Sequence, residues 1–333
     1  PYGAAPAAFA TNNGLPGETH GGAVRDRPAP WGFCGSRYGG VRAVFLQQVV
    51  NGLSVGSMYA LLAVGFSLVY NILGIANFSH GAMIALGAYF SYWIALYFKA
   101  PIPLAIVCSV VMTGVAAVLV ERLTLRILRK RGQGALYFFI ASLTIFNLVT
   151  AILVYVARGN IVSYPRAFLS GTFNFMNIMI PKIDAGMLLV SVGFLAALSW
   201  VLFRTRFGLA VRAASFNSRA AQLMGMNIDT IIGGVFFVSG LLAGIGGAML
   251  GVKYAVYPYI GTFVFTALFA CVAGGLGSLA GAVLGGLLIG LLETFVSAYI
   301  SSAVSPAITF AFLVVILLVR PQGLSGKTTE EKI

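Results

Sequence analysis

Nine stretches of this sequence are apolar almost without interruption: near residues 50–72, 77–98, 101–120, 135–157, 186–203, 229–252, 261–276, 279–298 and 304–319. Wound as helices, runs of roughly 20 residues match the hydrocarbon thickness of a bilayer. The runs are continuous rather than alternating, which argues against a membrane β-barrel. Charged residues make up only 9% of the chain, against about 25% in a typical soluble domain. The predicted fold class is all-α, a polytopic membrane helical bundle of about 8–10 transmembrane helices. Breaks in helices are predicted near 71–81 and 274–279, where polar or Gly-rich residues interrupt the apolar runs.

The net charge of +13 does not point to nucleic acid, because no basic stripe or aromatic platform accompanies it. The basic residues sit between apolar runs, as the positive-inside rule requires. One such loop carries Arg122, Arg126, Arg129, Lys130 and Arg131, and another Arg204, Arg206, Arg212 and Arg219. Two spans separate these loops, so both are assigned to the cytoplasm and the sparser 158–185 loop to the outside. Residues 1–42 are Gly-, Pro- and Ala-rich and are expected to be a poorly ordered extension that need not belong to the native protein. The transmembrane domain is expected over 43–325 and a cytoplasmic tail over 326–333.

The segment Asn77-Phe78-Ser79-His80-Gly81 is a polar patch between two apolar runs. Within a bilayer, backbone that leaves the helix is tolerated only when buried in protein or lining a wet cavity. Asn77, Ser79, His80 and Gly81 are therefore candidates for a translocation path. His80 could bind solute or relay protons; the plainer expectation is a neutral imidazole hydrogen-bonded to the broken backbone around Asn77. Glu293, the only acidic residue deep in the last third of the core, is expected to face the bundle or stay protonated; a structural role is the plainer reading, and solute contact places it on the same candidate list.

Gly277, Gly281 and Gly285 recur every four residues, as do Gly240 and Gly244. Small residues at this spacing let helix backbones approach closely in lipid, so these five are read as packing positions. Cys34, Cys108 and Cys271 show no CxxC or Cys/His spacing, and no metal site is expected. The stretch Gly274-Gly275-Leu276-Gly277-Ser278 follows no strand and is not a nucleotide loop. The C-terminal Gly323–Lys327 lacks the first glycine of a P-loop, because position 321 is proline. An intramembrane protease is disfavoured, since adjacent Ser79 and His80 point about 100° apart on a helix.

The basic segment 204–229 is the second informative stretch. Residues 209–224 are Ala-rich and suit a short helix, with Gly225 placed to end it. Leu209, Ala213, Phe216, Ala220 and Leu223 fall on one face, with Arg212 and Arg219 opposite. Such a surface helix can dock in a groove of a partner.

Three stretches together resemble the permease subunits of branched-chain amino-acid ABC importers. The first runs from Gln47-Gln48 through Asn51-Gly52-Leu53, Gly56-Ser57 and Tyr59-Ala60-Leu61 to Tyr70, Ile72–Ile75 and Asn77–Gly81. The second is Arg212-Ala213 through Ala220-Ala221 to Gly225. The third is Gly274–Ser278 through Gly281-Ala282 to Gly285-Gly286. The chain departs from the family pattern at Ala82 and at Ser215-Phe216-Asn217, where acidic or polar residues are common.

The resemblance implies a multi-pass subunit of a prokaryotic plasma (inner) membrane, without enzymatic activity. Its implied partners are a second homologous permease, forming a heterodimer, cytoplasmic ABC ATPase subunits and an extracytoplasmic solute-binding protein, besides the lipid bilayer. It implies no cofactor on this chain, with ATP and Mg held by the ATPase partners. It also implies that Arg212, Ala213, Ala214, Asn217, Ala220, Ala221 and Gly225 belong to the helix that couples to the ATPases. The implied transport is inward movement of branched-chain or other hydrophobic amino acids by alternating access. Urea or short amides as cargo remain an alternative, as does a secondary transporter or channel.

Overall fold

The computed structural model describes residues 41–164, 171–175 and 178–325. The expectations for residues 1–40 and for the 326–333 tail lie outside the described residues. The chain forms twelve α-helices among those residues. In order they are α1 (Val41–Leu73), α2 (Ser79–Tyr97), α3 (Ile102–Val120), α4 (Arg126–Lys130), α5 (Ala135–Ala157), α6 (Lys182–Arg204), α7 (Arg206–Phe216), α8 (Ser218–Leu223), α9 (Ile228–Lys253), α10 (Phe263–Gly274), α11 (Leu279–Tyr299) and α12 (Ser305–Val319). A π-helical turn, Glu121–Leu125, joins α3 to α4, and a 3-10 turn, Pro258–Thr262, leads into α10. A small antiparallel hairpin of β1 (Thr172–Phe175) and β2 (Ile178–Pro181), not expected from the sequence, precedes α6.

Every apolar run contains a helix, and the run at 135–157 coincides with α5 to the residue. Among the described residues, six helical stretches are long and apolar enough to cross a membrane: α1, α3 with α4, α5, α6, α9 and α11. The α10 region and α12 are shorter. Their exposed surfaces are apolar, as a lipid-facing bundle requires; Leu104, Val107, Val111 and Val115 on α3 are examples.

The core is built on α1, α2, α9 and α11. Most of α1 is enclosed by its neighbours. Along its length the close contacts come from missing side chains: Gly286 of α11 abuts Ala60, and Gly290 abuts Gly56. Gly240 of α9 sits against Gly114 and Ala117 of α3, and Gly244 faces Val110 and Thr113. Gly281 and Gly285 of α11 pack on Gly274 and Ala270 of α10. Gly277 is a correction to the helical stripe: it lies before α11, in a loop, with φ of +82°. That left-handed conformation suits glycine. It lets residues 275–278 reverse the chain between α10 and α11.

The first break is narrower than 71–81. Helix α1 continues to Leu73, Gly74 turns with φ of +67°, and α2 starts at Ser79. Helix α2 begins level with the middle of α1 and α9, since His80 bonds to Leu62 of α1 and approaches Ser239 of α9. The 3-10 turn meets it there: a Cβ at Gly81 would stand 2.8 Å from the Gly261 carbonyl oxygen.

Candidate functional site

The polar stretch at the start of α2 is sealed in protein. Asn77, Ser79 and His80 are all buried. The Asn77 side-chain oxygen accepts from the Ser79 hydroxyl at 2.7 Å and from the Ser79 backbone N–H at 3.2 Å, closing the turn on itself. The Phe78 N–H donates to the Ser142 hydroxyl of α5. A void of about 10 Å³ lies beside this turn, lined by Ile75, Ala76 and Asn77, about one water's worth of space.

The sequence led us to expect the His80 imidazole on the broken backbone around Asn77, but only the His80 backbone N–H reaches the Asn77 carbonyl, at 3.4 Å; the ring is held elsewhere. Its Nε2 donates to the Leu62 carbonyl at 3.2 Å, and its Nδ1 lies 3.1 Å from the Ser239 hydroxyl, which also reaches the Gly65 carbonyl. A Nε2–H tautomer follows from the Leu62 bond, because a carbonyl can only accept. The Nε2–H bond ties α2 to α1, and the Ser239 hydroxyl, whose one proton serves either the Gly65 carbonyl or Nδ1, holds α9 against them. A Cβ at Gly65 would stand 2.8 Å from the His80 Cε1, so glycine makes the room for the ring.

Open space with polar walls lies elsewhere: about 320 Å³ beside Arg122, Arg126 and Asp229 near α7, and a larger cleft at the end of the bundle opposite α7 and α8. The larger cleft, of about 460 Å³, opens between α1, α6, α9 and α11. Gln48, Asn51 and Val55 line it from α1, Asp184 from the first turn of α6, Lys253 from the end of α9, and Glu293 and Ser297 from α11. Lys253 Nζ and Asp184 Oδ1 are 2.6 Å apart, with both side chains largely withdrawn from solvent. Asp184 is further fixed to α1, because its backbone carbonyl accepts from Ser54 at 3.0 Å. The Glu293 carboxyl lies beside the buried Tyr59 of α1. Tyr254, just past α9, completes the rim; burial pushes its phenol up to about 12, helped by the charges of Glu293 and Asp184, so it stays neutral.

Sequence reasoning found Glu293 but missed Asp184 and Lys253. Both sit at span ends, where a lone charge reads as an orientation marker. Their pairing spans 69 residues of sequence.

At the other end, α6 turns into α7 at Thr205, whose hydroxyl accepts from the Gly208 N–H. Gly208 lies so close to the Leu202 backbone that no side chain fits. The single helix expected over 209–224 is two helices. Asn217 leaves the helical region (φ −155°, ψ 100°), and its side-chain oxygen caps α8 by accepting from the Ala220 N–H at 3.0 Å. Asn at an N-cap competes well with helix continuation, which overrides the Ala-rich propensity. Val211, Ala214 and Ala221 are buried, while Leu209, Phe216, Leu223 and Met224 are exposed, Leu223 to 89%. Arg212 lies over the Phe203 ring at 5.3 Å, and Arg219 is exposed. Gly225, with φ of +84°, ends the segment.

This end is tied to the bundle by a charge cluster that sequence reasoning also missed. Asp229 at the start of α9 accepts from Arg126 at 2.9 Å and from Arg129 at 2.6 Å. Arg129 also reaches Glu121, which is 1% exposed, in the π-helical turn.

A polytopic bundle with an interhelical polar cleft at one end and an exposed helical pair at the other has the parts of a transport subunit. Comparison with known proteins gives it a family. Residues 48–319 match the model for the permease component of branched-chain amino acid transport systems, and the chain belongs to that family. It is 31% identical over 301 residues to the high-affinity branched-chain amino acid transport system permease protein BraD of Pseudomonas aeruginosa, covering 87% of this chain and 98% of the relative. It is 33% identical over 305 residues to the permease protein LivH of Escherichia coli K12, with the same two coverages. The probable LivH of Methanocaldococcus jannaschii is 28% identical over 232 residues, 66% of this chain and 71% of the relative. The chain is thus a multi-pass membrane transport permease.

Proposed function

We propose that this chain is the transmembrane permease subunit of a binding-protein-dependent ABC importer in the plasma membrane of a prokaryote, moving branched-chain or other hydrophobic amino acids inward. The permease domain occupies 43–325, with the coupling segment at 204–229. The reading rests on family membership and on one observation, the exposure of Leu209 and Phe216 on α7, Leu223 on α8 and Met224 just after it. Exposed apolar side chains on short surface helices suit insertion in a partner's groove.

In this reading ATP and Mg are bound by cytoplasmic ATPase subunits and nothing is bound as a cofactor by the permease. A second, homologous permease completes the pathway, and an extracytoplasmic binding protein delivers solute to the end opposite α7. Closure of the ATPases moves α7 and α8 as a unit. The motion enters the bundle through the Gly208 elbow on α6 and through α9, where Phe207 of α7 packs against Gly234. Asn77, Ser79, His80 and Gly81 form the closed section of the path, and Glu293 lies nearer its outer mouth.

The test is uptake by proteoliposomes holding this chain with its ATPase, second-permease and binding-protein partners. Labelled leucine accumulates only with ATP on the side bearing α7 and α8. Equal movement by the chain alone, without ATP, would instead indicate a channel or secondary transporter, and preferential accumulation of urea would indicate an amide permease.

A further inference from the structure

The cleft between α1, α6, α9 and α11 contains more charge than a helix clamp needs. The Lys253–Asp184 pair alone ties α9 to α6. An ion pair withdrawn from water gains little net stability, because desolvation offsets most of its attraction. A third ionisable side chain, Glu293, lines the same space and forms no ion pair among the described residues. The side chains of Gln48 and Ser297 also have no hydrogen-bond partner among those residues. Val55 and the Tyr254 ring supply apolar wall. The volume of about 460 Å³ falls in the range of small-molecule sites, roughly 300–1,000 Å³.

One cation and two carboxylates around a single cleft match a zwitterion better than a neutral amide. We propose that this cleft is a low-affinity subsite for a free α-amino acid, with Glu293 accepting from the solute ammonium and Lys253 donating to the solute carboxylate. Lys253 keeps two N–H groups beyond the one directed at Asp184. Asp184 positions Lys253 rather than touching solute. Gln48 and Ser297 complete the polar wall, and the solute side chain lies toward Val55 and Tyr254. The proposal rests on the importer reading and narrows it, because urea and short amides lack the paired charges.

The experiment is equilibrium binding of labelled leucine to the assembled, nucleotide-free importer without its binding protein, with uptake by the native complex measured in parallel. Glu293→Gln and Lys253→Met each weaken leucine binding at least tenfold. Two leucine analogues, 4-methylpentanoate without the amine and 3-methylbutylamine without the carboxylate, fail to displace leucine at equal concentration. Because Lys253→Met could disturb folding, the exchanged pair Asp184→Lys with Lys253→Asp serves as a second variant. It keeps the ion pair, and so restores the yield of assembled complex, but it does not restore binding. Native affinity in the exchanged pair or in Glu293→Gln would overturn the subsite, as would displacement by either analogue as strong as by leucine. Absence of leucine uptake by the native complex would instead defeat the importer reading itself.

Discussion

Gly286 shows how single atoms set the geometry of this bundle. A side chain there would run into the backbone of Ala60, and backbone cannot move aside as a side chain can. Replacing a helical glycine normally gains up to about 1 kcal/mol in propensity, but forced overpacking costs about 1–3 kcal/mol. Gly286→Val is therefore expected to destabilise the protein, seen as a lower thermal midpoint in detergent; an unchanged or higher midpoint would mean that α1 and α11 are not packed this closely. Asp229 makes a second residue-level case. It holds both Arg126 and Arg129, and Arg129 also serves the buried Glu121. Hydrogen bonds to charged groups contribute more than neutral ones, but these arginines are partly exposed and screened. Asp229→Ala is expected to cost about 1–2 kcal/mol, measured as a shift in denaturation midpoint.

At the scale of elements, α7 and α8 form a jointed pair whose joint is Asn217. Loss of an N-cap costs about 1 kcal/mol, enough to let α8 fray without unfolding the bundle. Asn217→Ala is expected to leave the yield of membrane protein unchanged while reducing solute moved per ATP hydrolysed in the reconstituted complex. An unchanged ratio would show that the joint carries no force. Leu223→Asp is expected to weaken retention of the ATPase subunits on purification, since it places a charge at the most exposed apolar position of α8; retention equal to native would remove α8 from that contact.

The elements were largely legible in the sequence, for a physical reason. Each span is a local composition signal, so α5 could be read to the residue and the split between α10 and α11 from Gly275 to Ser278. The Asn217 break was legible in principle, as an N-cap residue before Ser218 and Arg219, but the surrounding alanines mask it. Gly277 kept the four-residue spacing yet lies outside the helix, because spacing does not reveal where a helix starts. The candidate site was less legible. Lys253 and Asp184, or Arg129 and Asp229, meet only after helices far apart in sequence have packed. Likewise, polar residues at a break suggest a wet path, whereas Asn77, Ser79 and His80 satisfy one another and their neighbours inside protein.

At the scale of the whole molecule, the larger polar cleft lies at one end and the exposed helical pair at the other, with the buried contacts around His80 and Gly81 between them. In the proposed reading those contacts close the middle of the path, and work applied from outside through α7 and α8 opens it. The direct test replaces residues 212–225 by a flexible Gly/Ser linker of equal length and measures ATP-driven leucine uptake in vesicles containing all partners. The account predicts normal membrane insertion with uptake reduced to background. Uptake at the native rate would contradict it.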